Sequence, residues 1–319
     1  MTKLVDNAEG EADITLSVII PTYKAREVLA DCLRSIHQNP PSDPYEIIVV
    51  DDASEDGTSE MVHAHFPEVR LLQNKINRHY SSSNNRAFDH ARGQFLLLLN
   101  NDTIVLPQAF DRMLQFLRQY PKAGAVGCRL LNEDGTTQWS VKSLPSFGSA
   151  LFGARSVITK VFPYNPYSRK HLLQLDRDMT EPFIAGYVSG AAKMMPRNVV
   201  DEVGYLDTRM FMHVDADYCK RIADAGYSCY YLPTAEVIHL VHKGGSMVSL
   251  RRRFRFLVEF HVGSYIYYRK HVQQSIWSPM HIIVATGLLA RFLFSLAIQA
   301  SAELGGIARS FSQRKDSTS

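Results

Sequence analysis

The chain has 319 residues, enough for one large domain or two small ones around a substantial core. Apolar residues make up 45% and charged residues 21%, an ordinary globular balance that excludes a fibrous or wholly disordered chain. A formal charge of +3 is too small to argue for nucleic acid, and no such partner is expected.

That charge is unevenly placed. From Arg251 onward there are ten Lys or Arg against three Asp or Glu, a net +7, which leaves −4 for the rest. A basic tail on a mildly acidic body suits contact with an anionic surface such as a membrane. None of Cys32, Cys128, Cys219 and Cys229 stands in a metal-type pair, so buried thiols rather than disulfides are expected. Residues 1–13 are charged and without periodicity, which predicts disorder. Met1 to Ala12 lacks the apolar core of a secretory signal. Together with the cysteines this predicts a reducing, cytoplasmic setting.

In chain order, Leu16–Ile20 reads as a short buried strand stopped by Pro21, and a helix is expected from Thr22 to about Gln38. Tyr45–Val50 is a second buried strand that runs into Asp51-Asp52-Ala53-Ser54, followed by a helix to about His65. Val69–Leu72 is a third strand and Ser82–Arg92 a helix. Phe95 to Leu99 are five apolar residues in a row, a strand buried on both faces, which stops abruptly at Asn100-Asn101-Asp102-Thr103. Such an ending puts side-chain oxygens at the carboxyl edge of a sheet, where ligands bind in open α/β folds. It suits a hard cation with the phosphates it carries, or else a turn in which Asp102 or Thr103 caps a helix after Pro107.

A helix is expected over 107–120, then strands at Ala123–Leu131 and Thr137–Val141 joined by a hairpin at Asn132–Gly135. Residues 144–182 are irregular and aromatic, and read as an acceptor loop or a lid. Val188–Met195 reads as a strand, Val199–Gly204 as a short helix, Val214–Ala225 as a helix, and Ser228–Leu232 and Ala235–His239 as the last strands. Alternation of strand and helix predicts a mostly parallel sheet wound with helices.

Seven stretches in this order are similar to family 2 glycosyltransferases, and resemble the bacterial rhamnosyltransferase-like branch in particular. They are Leu16 to Lys24, Ile47 to Thr58, Asn77 with its helix, Asn100 to Thr103, Val188 to Gly190, Asp215-Ala216-Asp217 and Val237 to His239. The resemblance implies a GT-A fold over residues 14–250, with a Rossmann-like central sheet. It implies inverting transfer of one sugar from a nucleotide-diphosphate sugar to a hydroxyl of a glycan or lipid-linked glycan acceptor.

The resemblance further implies a divalent metal, Mg²⁺ or Mn²⁺, held at Asp102 and completed by His239, with Asn101 beside it on the donor. Asn100 stands where the pattern has an acid. By itself, His239 reads equally as a strand histidine bonded to backbone. Asp215 matches the general base, with Val214 in place of a preceding Glu, and Asp217 is a supporting or acceptor-binding acid. Both also read as caps of the helix that follows. Nucleotide contacts fall on Pro21, Thr22, Tyr23, Asp51, Asp52, Asn77 and Arg78, the two acids reading also as turn acids. Gly190 is small so that the donor sugar can approach.

Residues 251–307 form a basic and apolar helical region, and 308–319 a disordered tail. Met280 to Ala300 is apolar with Arg291, Ser295 and Gln299 on one helix face. An Arg at the centre of a spanning helix costs roughly 2.5–3.5 kcal/mol. An interfacial helix on the inner face of the cytoplasmic membrane fits better, or packing on the domain or on a second subunit as a homodimer. No Gln-x-x-Arg-Trp motif of processive synthases is found, which argues for single addition. The other reading of the whole chain is a relative that binds nucleotide-sugar or glycan without turnover, suggested by the acids replaced at Asn100 and Val214. A nucleotide-dependent enzyme of Rossmann type is disfavoured, because no GxGxxG follows the first strand.

Overall fold

The computed structural model describes residues 13–146, scattered positions from 161 to 173, 178–240, and 250–316 apart from 274 and 276, with backbone only at 250–252 and 299–316. The described residues fall into two compact units. One is built from 13–209 with 214–240, the other from 210–213 with 250–316. The expected disorder of residues 1–13 lies almost wholly outside the described residues. So does most of the expected lid or acceptor loop at 144–182.

The first unit is a nine-stranded mixed sheet. Its parallel part is β3 (Arg70–Gln73), β2 (Tyr45–Asp51), β1 (Leu16–Thr22) and β4 (Phe95–Leu99), in that spatial order. Every β2 residue is buried, as is all of β1 except Pro21, and β4 except its first residue. That explains why these strands read as unbroken apolar runs rather than alternating ones. The helices α1 (Arg26–Gln38), α2 (Thr58–His65) and α3 (His79–His90) make the crossovers.

Beyond β4 the sheet continues through β10 (Ala192–Pro196), β6 (Ala123–Leu131), β11 (Ser228–His239) and the short β5 (Thr103–Val105), with β8 (Phe183–Ala185) also on β11. Here β10 runs antiparallel to both neighbours while β6 and β11 are parallel. A separate ribbon pairs β7 (Val141–Lys142) with β9 (Tyr187–Val188). The remaining helices are α4 (Ala109–Gln119), α5 (Arg197–Val203) and α6 (Val214–Asp224).

Several expectations about local structure are corrected. Pro21 does not stop β1, which continues to Thr22 opposite Asp51. The Thr22 carbonyl accepts from Asp52 N at 2.9 Å on the β2 side, so Pro21 faces β4. Pairing with β4 ends at Ile19–Leu98, and a proline is tolerated where no ladder donor is needed. The helix therefore starts four residues later than expected, at Arg26. Val188–Met195 is not one strand. Val188 ends β9, Ser189 to Ala191 turn the chain, and β10 starts at Ala192. Conversely, Ser228–His239 is a single strand with a register shift between Leu232 and Glu236, where Pro233 lies. The Asn132–Gly135 turn forms, with Gly135 at φ +81°, but Thr137 makes only an isolated bridge to Leu131. Thr103 lies in β5 and α4 begins at Ala109, so neither Asp102 nor Thr103 caps that helix.

All four cysteines are free and buried. Burial pushes the Cys32 and Cys128 thiols up to about 12, which removes them as nucleophiles.

The second unit holds α7 (Leu250–His271) and α8 (Met280–Asp316). The helix runs to Asp316, where a disordered tail was expected from 308. Its Arg291 guanidinium lies 4.9 Å from the Phe260 ring of α7, and Phe292 meets Phe254 edge-on at 6.0 Å. Ile282, Ile283, Leu289, Leu293 and Phe294 are exposed by more than half.

Candidate active site

The carboxyl ends of β1, β2 and β4 gather the first group of candidate residues. Asp51 accepts from Ser54 N at 3.0 Å and from the Ser59 hydroxyl. Asp52 accepts from Asn74 Nδ2 at 2.7 Å, Arg78 N at 2.8 Å and His79 N at 2.7 Å. Both carboxylates are buried, so they act first as turn acids that pin the loops opening α2 and α3. Asn77 Oδ1 accepts from His79 N at 3.2 Å in the same turn. Asn101 Nδ2 donates to Thr22 Oγ1 at 2.9 Å, which ties the end of β4 to the end of β1. Pro21 is half-buried, while Tyr23 and Arg78 stand exposed at this edge, with the Lys24 ammonium 5.4 Å from the Tyr23 ring.

Three non-glycine residues here adopt left-handed backbone: Lys24 at φ +49°, Ala53 at +64° and His79 at +66°. Such conformations cost of order 1–3 kcal/mol each and persist where the surroundings over-determine them.

The second group lies where β5 meets β11. His239 pairs with Thr103 across these strands. Its Nε2 is 3.3 Å from Asp102 Oδ1 and 3.3 Å from Asn100 Nδ2. Its Nδ1 is 3.0 Å from Gln138 Oε1. The Gln138 amide has only one sensible orientation, because its Nε2 donates to the carbonyls of His239 at 2.6 Å and Leu131 at 3.2 Å. Nδ1 is therefore the nitrogen that donates to Gln138, and Nε2, which faces Asp102, is the one a metal would take. A metal-binding histidine is oriented in just this way by an outer partner.

Gln138 was not anticipated. It is 101 positions from His239 and nothing in its neighbourhood distinguishes it from a strand glutamine. Among the described residues no three His, Cys, Asp or Glu side chains converge. The donor set of one carboxylate and one imidazole fits a divalent ion that draws its other ligands from a diphosphate and water.

The third group surrounds Asp215, in the first turn of α6. Its Oδ1 accepts from Lys193 Nζ at 2.8 Å, and its Oδ2 accepts from Gly190 N at 2.9 Å. Both partners lie outside its own helix. A Cβ on Gly190 would come within 2.5 Å of Asp215 Oδ1 and 2.6 Å of the Tyr80 hydroxyl. The glycine is thus required by Asp215 and Tyr80. Tyr80 also donates to the Gly190 carbonyl at 3.2 Å, and burial, then Asp215, push its hydroxyl well above the usual range.

Asp217 is corrected as an acceptor-binding acid. It is fully buried and accepts from Arg221 Nε at 3.1 Å, while Arg221 also donates to the carbonyls of Val203 and Tyr205, both at 2.8 Å. With no face open to an acceptor, it keeps only the supporting role.

The sheet brings the second and third groups together. Ala192 pairs with Leu99, and Asn100 N donates to Ala191 O at 2.9 Å. One peptide beyond that bond is Gly190, which holds Asp215.

Residues 17–204 match the family "Glycosyl transferase family 2". An N-acetylglucosaminyl-diphospho-decaprenol L-rhamnosyltransferase of Mycobacterium tuberculosis is 28% identical over 236 residues, covering 70% of this chain and 74% of the relative. A mannosyltransferase of Pyrobaculum calidifontis, solved with GDP-Man and Mn²⁺, superposes with a TM-score of 0.53 at 20% identity, over 92% of this chain and 81% of that one. GalNAc-T7, solved with UDP, GalNAc and Mn²⁺, superposes with a TM-score of 0.56 at 15% identity, over 82% and 52%. At those identities the two structures speak to the fold alone, which is GT-A. With more than half of its length matched, the chain belongs to glycosyl transferase family 2 and is a glycosyltransferase.

Proposed function

We propose that this glycosyltransferase moves one sugar, with inversion, from a nucleoside-diphosphate sugar to a hydroxyl of a glycan or lipid-linked glycan. The observation that carries the reading is the contiguity just described. The Asp102–His239 pair and the Asp215 carboxylate flank one stretch of paired backbone, Asn100–Ala191–Gly190. That arrangement would let a leaving group and an attacking hydroxyl be served by separate side chains.

Asp215 accepts the proton of the acceptor hydroxyl as its oxygen bonds to the anomeric carbon and the diphosphate departs from the opposite face. Both Asp215 oxygens are already held by fixed donors, so its remaining lone pairs point in a set direction. Asp102 and His239 Nε2 are the residues that would hold Mg²⁺ or Mn²⁺, whose charge would offset that of the leaving diphosphate. Tyr23, just past β1, and Arg78, just before α3, are exposed and would meet the nucleotide. The bonding of Asp215 outside its own helix favours this reading over a non-catalytic binding module.

The rhamnosyltransferase relative supports rhamnose as the first sugar to test, a polyprenyl-diphosphate-linked saccharide as acceptor, and a role in cell-envelope polysaccharide synthesis. Purified protein offered a panel of nucleoside-diphosphate sugars with such an acceptor should release one nucleoside diphosphate, and only with Mg²⁺ or Mn²⁺. Donor binding without release, with acceptor present, would instead mark a binding module. In the Gln138→Leu variant the His239 ring loses its orienting partner. Apparent metal affinity should fall about 10–100-fold with the maximal rate at saturating metal largely kept.

Work at the inner face of the cytoplasmic membrane is supported by α8. Its stretch Met280–Ile298 is long and apolar enough to cross a bilayer by length and composition. Arg291 is turned onto Phe260, which leaves Ile282, Leu289, Leu293 and Phe294 exposed without a charge among them. An interfacial helix with a basic neighbourhood binds anionic lipid in this way. The full chain should co-sediment with vesicles of mixed phosphatidylcholine and phosphatidylglycerol. The double variant Leu289→Glu, Leu293→Glu should bind at least tenfold more weakly, losing the burial of two leucines at about 1.5–3 kcal/mol each. Equal binding by both proteins would remove α8 from the contact.

A further inference from the structure

Lys193 is unusual for where it lies. It comes from the middle of β10, between β4 and β6, with Met194 and Met195 beside it, and its side chain is wholly buried. Burying an ammonium costs several kcal/mol unless an opposite charge meets it. The acid that does so is Asp215, at 2.8 Å, and the Tyr218 ring lies 5.6 Å from the same nitrogen. The pair is asymmetric. The lysine has no exposed surface, while the Asp215 side chain is 26% exposed. A buried ion pair that only fills the interior encloses both partners. This one has its cation inside and its anion at the surface.

Resting on the reading of Asp215 as base, we infer that Lys193 is a positioning residue for sugar transfer: it places its charge against the Asp215 carboxylate and aims that carboxylate at the acceptor hydroxyl. Its burial excludes contact with substrate, so it acts only through Asp215. Gly190 N secures the other oxygen, and together the two donors fix the carboxylate plane. The ionisable groups facing this pair are Tyr80 from α3 and Cys219 from α6, with Cys229 of β11 against Cys219. Burial pulls the Lys193 ammonium down, but Asp215, then Cys219 and Tyr80, outweigh it, and the net shift is upward. The ammonium therefore stays charged throughout the working range. Tyr80 stays a neutral phenol, so the local field on Asp215 is set by Lys193.

The sign follows directly. An opposite charge favours the ionised form of a carboxylate, by about one to three pH units. Removing it moves protonation of Asp215 to higher pH. In Lys193→Met and Lys193→Gln, the acid limb of the kcat/KM profile should move up by about one to three pH units, while donor KM changes little. Lys193→Arg, which keeps the charge, should keep the limb near its wild-type position. A carboxyl-carbon NMR titration of the full chain, with the Asp215 signal assigned by its loss in Asp215→Asn, reads the same shift without turnover. Thermal melts identify any variant that fails to fold, and the Gln and Arg variants then carry the test.

An unmoved Asp215 titration in folded Lys193→Met and Lys193→Gln would overturn the inference. If instead the titration moves but Asp215→Asn retains wild-type transfer, the assignment of the base is wrong, and Lys193 positions a group that transfer does not need. The two failures are thus told apart.

Discussion

Replacing Asp215 by Asn should lower kcat by about 10²–10⁴-fold, the range of a positioned general base, or about 2.7–5.5 kcal/mol in the barrier. The change is nearly isosteric. The amide oxygen can still accept from Gly190 N or Lys193 Nζ, so the turn at Ser189–Ala191 and the start of α6 should keep their shape. What is lost is the capacity to take a proton, together with the charge opposite Lys193. That second loss has a structural cost, because a buried ammonium is left without its anion, and breaking such a pair destabilises by about 3–5 kcal/mol when both groups are enclosed. Asp215 is one-quarter exposed, so water reaches the site and the penalty is smaller. Thermal melting beside steady-state rates separates the two effects. A variant that folds, binds donor with wild-type affinity and turns over within threefold of wild type would show that another group takes the proton.

Asp102→Asn should be nearly as damaging, for a different reason. Asp102 is the one acid within reach of His239 Nε2, and no third acid, cysteine or histidine joins them among the described residues. With a single carboxylate in the proposed donor set, its removal would leave a bound cation only an imidazole and amides. We expect the metal concentration for half-maximal rate to rise by more than tenfold. At saturating metal kcat/KM should still be down by about 10²–10³-fold, the scale of losing one stabilising contact to a developing charge. The fold should tolerate the change, because the backbone carbonyl of Asp102 keeps its bond from Leu240 N at 2.8 Å and Gln138 still holds the His239 ring. Unchanged metal dependence in Asp102→Asn would move the cation site elsewhere.

Asp102 was legible in the sequence because it follows a run of apolar residues whose length marks a strand buried on both faces. Asp215 stood out only through the resemblance of its stretch to family 2 glycosyltransferases, since by local pattern it reads as a helix cap. The parallel half of the sheet was legible for the same reason as Asp102, since β1, β2 and β4 are short, continuous and apolar. The strand bounds were not. Whether β1 passes Pro21 depends on which neighbour the proline faces, and whether 188–195 is one strand or two depends on a turn held by Gly190.

The partners of the candidate site were illegible, and the physical reason is the same in each case. Lys193 looks from the sequence like a polar residue misplaced in an apolar strand, and only the packing of α6 against β6, β9 and β11 brings Asp215 to it. Gln138 becomes an orienting residue for His239 because the strand register lays Leu131 opposite Ile238, next to His239, so that one amide reaches the carbonyls of both Leu131 and His239. Asp217 and Asp215, two positions apart on one helix turn, look equivalent in the chain, yet one points inward to Arg221 and the other to the surface. Apolar periodicity is written over a few neighbouring residues, so the sequence by itself determined which segments are strands and helices and which end in acids. The neighbours those acids meet come from segments as far away as His239 is from Asp102. Only the closing of the sheet decided which carboxylate is a turn acid, which a buried support and which the candidate base.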